Sequence, residues 1–191
     1  MATNRYNERM NIPSNHHMSL VRQLLCGIAL LLSLLLSLLP FVACAKQSTH
    51  GNNGLREVQD FRLVATEMRQ KNLPLLVEFH GEGCPYCRAL EEDFLIPMLH
   101  DPAYEEKILI RQVQLGIDTE IVDFQGNKVS PHEFASRYGA SLTPTMVFLD
   151  TDGKEVAGKI VGFNTPSLFG GYLDAEIEKA LTNVRAKVPS Q

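Results

Sequence analysis

Two cysteines three positions apart, in the run Cys84-Pro85-Tyr86-Cys87, constrain this chain more than any other feature. The pair follows an apolar run of strand length, residues 75–79, and it opens a helix-like stretch. At a helix start, unpaired backbone N–H groups and the positive end of the helix dipole favour a thiolate over a thiol. Because the thiolate is the nucleophile of disulfide exchange, this strand–loop–helix unit is a candidate redox centre.

The first 45 residues have the layout of an export signal. Arg22 precedes an apolar run, residues 24–39, and small residues close the segment at Ala43-Cys44-Ala45. This order of a positive, an apolar and a small-residue region is typical of a secretory signal. We expect Met18 to be the true start, so that residues 18–45 make the chain's only membrane contact.

Three outcomes of export remain open. Cleavage would fall before Lys46, whereas the sequence Phe41-Val42-Ala43-Cys44 also resembles a bacterial lipobox, so Cys44 could carry lipid. An uncleaved anchor is the third, because residues 24–45 approach the ~20 apolar residues that span a bilayer. All three place the remainder in the periplasm or another extracytoplasmic space.

The remaining composition narrows the function classes. Of four cysteines, Cys26 and Cys44 lie in the first 45 residues, so a cleaved chain keeps only one close pair. In an exported domain such a pair is more plausibly catalytic than structural. Structural zinc usually takes four ligands and there is no second CxxC motif, so we predict no metal and no cofactor. The net charge of −4, with no Trp and no basic run, argues against a nucleic-acid partner.

Hydrophobic periodicity predicts alternating helices and strands between a linker at 46–54 and a tail at 186–191. The predicted elements are helix 55–71, strand 75–79, helix 85–98, strand 107–117, helix 130–138, strand 145–149, strand 155–161 and helix 168–181. Pro97 should kink or end the second helix. Alternating strands and helices favour a parallel βαβ part, and the final strand pair adds an antiparallel edge. The prediction is an α/β domain at 55–185, with a mixed central sheet and helices on both faces.

This order resembles the thioredoxin fold over about residues 55–185. Four features carry the resemblance: the cysteine pair after a buried strand, an acid six residues before it, a proline loop entering a strand, and a glycine-containing closing hairpin. They are Gly83–Cys87, Glu78, Leu142-Thr143-Pro144-Thr145, and Asp152-Gly153 with Gly158 and Gly162. The sequence is most similar to exported bacterial thioredoxin-related proteins of the SoxW type, which share a Cys-Pro-Tyr-Cys centre. It departs from ordinary thioredoxin in having His80 where an aromatic residue stands.

The resemblance implies three catalytic residues. Cys84 would be the more exposed sulfur and would attack a substrate disulfide, and the more buried Cys87 would resolve the mixed disulfide. Glu78 would exchange a proton with Cys87, and a carboxyl on a buried strand should have a raised pKa through desolvation. An ordinary Glu78 at a solvent-facing edge is the alternative.

Four further residues are expected to meet the substrate. Pro85 and Tyr86 separate the cysteines, and Thr143 would flank Cys84. The peptide bond before Pro144 should be cis, so that this loop offers a backbone edge to a substrate strand. We expect His80 to be a surface residue at the strand end, and residues 91–93 to form a solvated acidic helix face.

These expectations favour an exported thiol–disulfide oxidoreductase acting on disulfide-containing proteins, with electrons from a membrane donor. Reduction is favoured because the domain at 55–185 lacks the large helical insertion of dedicated disulfide oxidases and a dimerisation domain of the kind isomerases use. The alternative is a binding or metal-delivery module that holds a partner without turnover.

Overall fold

The computed structural model describes residues 54–187. The predicted signal or anchor at 1–45, the start at Met18, the linker up to residue 53 and the tail beyond residue 187 lie outside this range. Within it, no helix combines the length and the apolar character needed to cross a bilayer.

Groups of helices and groups of strands follow one another from Phe61 to Ala186. The helices are α1 (Phe61–Lys71), α2 (Pro85–Leu90), α3 (Ile96–His100), α4 (Pro102–Glu105), α5 (Pro131–Arg137) and α6 (Pro166–Ala186), with a π-helical turn (Glu91–Leu95) joining α2 to α3. The strands are β1 (Leu75–Gly81), β2 (Leu109–Leu115), β3 (Ile121–Val122), β4 (Lys128–Val129), β5 (Thr145–Leu149) and β6 (Ile160–Val161).

The central sheet is mixed, as predicted. Its strand order is β2-β1-β5-β6, while β3 and β4 form a separate two-stranded hairpin. Strand β1 runs parallel to β2 and antiparallel to β5, and β6 adds a second antiparallel pair at the edge. The cysteine pair follows β1, so the redox centre lies at the end of a strand held on both sides.

The apolar side chains of β1 belong alternately to two hydrophobic clusters. Leu75, Val77 and Phe79 join a cluster that includes residues of α1 and α5, whereas Leu76 joins one that includes residues of α2, α3 and α6. Because successive strand side chains point to opposite faces, Glu78 lies on the Leu76 side, the side of the helix that carries the cysteines. Helices therefore cover both faces of the sheet.

The first helix begins later than predicted. Residue 57 instead bridges Gln112 of β2 in parallel, and Asp60 caps the N-terminus of α1 through its side chain. Leu55 and Val58, which the predicted helix included, are instead buried in the non-helical segment that pairs with β2. This short segment brings Glu57 beside the open edge of β2.

The helix that carries the cysteines does not end at Pro97. It continues to His100 through the π-helical turn, in which the N–H of Ile96 bonds to the carbonyl of Glu91 five residues back. Proline lacks an N–H, and its ring would clash with the carbonyl four residues earlier in a regular helix. A wider π-helical turn just before Pro97 accommodates this, and such turns are frequent at functional sites.

The last strand is shorter than predicted. The ladder between β5 and β6 is confined to Ile160 and Val161, with one isolated bridge between Leu149 and Glu155. Between these points the chain leaves the sheet, and the N–H of Gly158 bonds to the side chain of Glu176 on α6. At Gly158 a glutamate side chain, and not the carbonyl of a neighbouring strand, accepts the backbone hydrogen bond.

Candidate active site

Cys84 and Cys87 form a disulfide at the start of α2, with their Cα atoms 5.3 Å apart. Cys84 is the N-cap residue of this helix, and its Sγ accepts the backbone N–H of Cys87 at 3.1 Å. Cys84 is partly exposed, whereas Cys87 is only 2% exposed. Cys84 is therefore the sulfur that a large substrate can reach.

A tight loop between β1 and α2 places the disulfide. Gly83 has a φ of 67°, which favours glycine, and the N–H of Cys84 bonds to the carbonyl of Gly81 at 3.3 Å. Pro85 occupies the first helical turn, where its missing N–H costs no hydrogen bond. Tyr86 between the cysteines is 61% exposed, so it lies on the surface next to Cys84.

The proline loop lies against the cysteines. The Thr143–Pro144 peptide bond is cis, as predicted, and the Thr143 hydroxyl lies 3.7 Å from the Sγ of Cys84. Pro144 itself is buried, and its carbonyl accepts the N–H of Gly162 at 2.8 Å. Leu142 is 64% exposed, so the accessible part of this loop is formed by Leu142 and Thr143.

Glu78 is fully buried, so the alternative of a solvent-facing strand edge is wrong. Its Oε2 accepts the side-chain amide of Gln112 at 2.9 Å, and its Oε1 has no hydrogen-bond partner among the described residues. Burial raises the pKa of Glu78 to about 8, and the neighbouring charge of Glu91 adds to the rise. A carboxyl of this kind can exchange a proton near neutral pH.

A second carboxyl shares the same amide. The Nε2 of Gln112 also donates to Oε1 of Glu91 at 2.9 Å, so one side chain bridges Glu78 and Glu91. The predicted acidic helix face is wrong at this position: Glu91 is partly buried, although Glu92 and Asp93 are exposed. Burial also raises the pKa of Glu91.

His80 is not the surface residue that we expected. Its Nε2 lies 2.5 Å from Oε1 of Glu57, and both side chains are largely buried. Burial alone would lower the pKa of His80, but the hydrogen bond and the charge of Glu57 raise it above its ordinary value. The other oxygen of Glu57 accepts the N–H of Gln114 at 3.1 Å, which fixes the pair at the edge of β2.

A cavity of about 320 Å³ joins the disulfide to this polar cluster. Both cysteines, the bridging amide, one carboxyl of the bridge and the histidine–glutamate pair line it: Cys84, Cys87, Gln112, Glu91, His80 and Glu57. Across residues 54–187, no group of three or more His, Cys, Asp or Glu side chains is arranged to hold a metal ion. The arrangement is suited to thiol and proton chemistry at one site.

The cysteines, Glu78, the intervening Pro85 and Tyr86, and the Thr143–Pro144 loop were predicted from the sequence. In the structure Thr143 lies beside Cys84, and Gln112, which binds Glu78, lines one cavity with both cysteines. Sequence reasoning missed Gln112, Glu57 and Glu91 as parts of the same cluster. Gln112 is the register partner of Glu78 on β2, and Glu57 bridges Gln112 from the other side. Gln112 has one sequence signal, a polar residue in an apolar strand, but the spacing of residues along the chain does not show which residues pair between strands.

Comparison with known proteins agrees with this geometry. A thioredoxin-like domain model matches residues 61–177. The Caenorhabditis elegans protein named Probable thioredoxin-2 is 30% identical over 148 residues, which cover 74% of this chain and 81% of the worm protein.

Solved structures of low similarity accompany these matches. Fasciola hepatica thioredoxin is 21% identical and aligns over 63% of this chain and 98% of its own, with a TM-score of 0.41. A thioredoxin-like protein from Clostridium perfringens is 19% identical over 70% of this chain and 90% of its own, with a TM-score of 0.45. The thioredoxin-like domain model spans most of the residues that the structure describes. The chain belongs to the thioredoxin-like domain family.

Proposed function

We propose that this chain is an exported thiol–disulfide oxidoreductase that reduces disulfides in partner proteins. Family membership and the cysteine pair indicate thiol–disulfide redox activity at the level of the family. One observation carries the proposal for this chain: a partly exposed Cys84 is joined to a buried Cys87, and both line a cavity with Gln112, whose side-chain amide binds the buried carboxyl of Glu78. A structural disulfide would need neither the asymmetric exposure nor the acid.

The reaction begins from the reduced pair. The Cys84 thiolate attacks one sulfur of a substrate disulfide, forming a mixed disulfide and releasing the other substrate sulfur as a thiolate. Cys87 then transfers its proton to Glu78 and attacks Cys84, which closes the bond seen here and releases the second substrate thiolate. Two electrons pass to the substrate, and the leaving thiolates take up protons from water.

Exposed apolar side chains around Cys84 support a protein substrate. Tyr86, two residues after Cys84, and Leu142, which precedes Thr143, are both more than half exposed, and the Thr143 hydroxyl lies 3.7 Å from the Cys84 sulfur. An extended peptide segment could pack on these side chains while its disulfide meets Cys84. The partners are therefore disulfide-containing proteins.

Trapping tests the exchange reaction. In the Cys87→Ala variant the mixed disulfide cannot be resolved, so we expect covalent complexes with disulfide-containing proteins on non-reducing gels, and reductant should release them. The matched Cys84→Ala variant should form none, because the buried Cys87 cannot meet the substrate. Equal absence of complexes from both variants would favour a module that binds a partner or a metal without turnover. A reduction potential near about −270 mV would support reduction, whereas one near about −120 mV would support oxidation.

Export is the second part of the proposal. The apolar segment at 24–39 and the small residues before Lys46 support passage across a membrane, as in SoxW-type proteins. A reductase in an oxidising space must be re-reduced, so we propose a membrane-bound electron donor. Mass spectrometry of the mature N-terminus should show Lys46, a lipidated Cys44 or a retained anchor. A cytoplasmic chain with its first residues intact would contradict export and leave the exchange chemistry standing.

A further inference from the structure

We propose that Glu91 is a positioning residue for Glu78: the two carboxyls, bridged by Gln112, hold one proton between them and deliver it to the cavity after Cys87 is deprotonated. The inference deepens the proposed function and rests on it for the identity of the proton donor. The bridge itself is a structural feature that can be tested without any substrate.

The bridge depends on one nitrogen atom. The Nε2 of Gln112 lies 2.9 Å from Oε2 of Glu78 and 2.9 Å from Oε1 of Glu91. The distance between these two carboxyl oxygens is therefore at most the sum of the two hydrogen-bond lengths. An amide nitrogen has two hydrogens, and both are engaged by carboxyl oxygens. Two carboxylates this close cannot both ionise at low cost, so they titrate as a pair that retains a proton.

The two carboxyls differ in access. Glu78 is fully buried, and its Oε1 has no hydrogen-bond partner among the described residues, a situation that an ionised carboxyl tolerates poorly. Glu91 is partly buried and lines the 320 Å³ cavity together with both cysteines. A proton accepted by Glu78 therefore has a neighbouring carboxyl that meets the cavity.

Other charged groups face the pair from each surrounding element. His80 on β1 lies beside Glu57 of the segment before α1; the charge of His80 lowers the pKa of both carboxyls and the charge of Glu57 raises it. Glu82 in the loop and Arg88 on α2 line the same cavity and are exposed. Because the charge of Glu91 also helps to raise the pKa of His80, the test of a substitution at position 91 follows the titration of Glu78 itself.

The proposed proton transfer completes the resolving step. The Cys87 proton moves to Glu78 as the Sγ–Sγ bond forms and the bond from Cys84 to the substrate sulfur breaks. Because the proton that the pair already held is then on Glu91, Glu91 releases that proton to water in the cavity, and the pair again holds one proton. The leaving substrate thiolate takes up a proton from water, so charge and atoms balance.

Glu91→Gln tests the pairing, with Glu92→Gln as the matched control. Both variants replace one glutamate by glutamine in the same helical turn. Glu91 is partly buried, whereas its neighbour Glu92 is exposed. We expect Glu91→Gln to lower the titration midpoint of Glu78 by on the order of one pH unit, and Glu92→Gln to leave it near that of the wild type. Following the side-chain Cδ chemical shift of Glu78 by NMR, in the full-length oxidised chain, measures this directly. Glu91→Asp keeps the carboxyl group, so the titration midpoint of Glu78 in this variant should lie close to that of the wild type.

Kinetics give the second measurement. The rate of product thiol release from a preformed mixed disulfide should follow the ionisation of Glu78. The pH profile of this rate should therefore shift to lower pH in Glu91→Gln and stay unchanged in Glu92→Gln. Equal Glu78 midpoints in Glu91→Gln and Glu92→Gln would overturn the inference whether or not the protein exchanges disulfides. A wild type that titrates as expected but never releases product thiol would overturn the proposed function instead.

Discussion

Replacing Cys84 by serine should lower the rate of disulfide exchange by at least ~10³-fold, because a serine hydroxyl does not ionise near neutral pH and cannot form a mixed disulfide. Cys84 is the accessible sulfur at the helix start, and Thr143 stands 3.7 Å from it. The measurement is the initial rate of reduction of a disulfide-containing protein by the pre-reduced chain.

Cys87→Ser is the matched variant for this prediction. Because Cys87 is buried, its loss should leave the first attack intact and block only the release of the second product. A burst of one substrate thiol per protein, followed by no further turnover, would distinguish it from Cys84→Ser. Activity that survives in Cys84→Ser and is lost at the first step in Cys87→Ser would reverse the two assigned roles.

The free energy of unfolding of the oxidised protein should fall as pH rises from about 5 to about 8, and Glu78 is the cause. Its pKa is raised from 4.5 in the unfolded chain to about 8 in the fold, mainly by burial. Across this window the folded protein holds a proton that the unfolded chain has released, so stability is greatest below the unfolded pKa and is lost as pH approaches the folded one. The slope contributed by one such group is at most about 1.4 kcal/mol per pH unit.

Glu78→Gln isolates this contribution, because the amide has nearly the same shape and does not titrate. Over the whole window the wild type should lose on the order of several kcal/mol relative to the variant, as measured by urea unfolding at the two ends. The disulfide is kept closed in both proteins so that the cysteines do not titrate. Parallel stability curves for wild type and variant would show that Glu78 is already ionised in the fold.

Several features of this protein follow from its sequence alone. The Cys84–Cys87 spacing after an apolar strand predicts a redox pair at a helix start, and this signal is local because it depends on backbone geometry within a few residues. The loop at Thr143-Pro144 was expected beside the pair only because the sequence resembles the thioredoxin fold. The alternation of helices and strands likewise predicted the mixed sheet, although it misplaced the start of α1 and the extent of β6.

Only the tertiary structure decided what surrounds Glu78. Gln112 reaches it through the β1–β2 register, and Glu91 reaches the same amide from a π-helical turn. Glu57 meets His80 because the segment before α1 is extended beside β2. Sequence spacing reports which residues share a face of one element, but a proton-holding cluster depends on which elements are adjacent and in which register, and packing alone sets that.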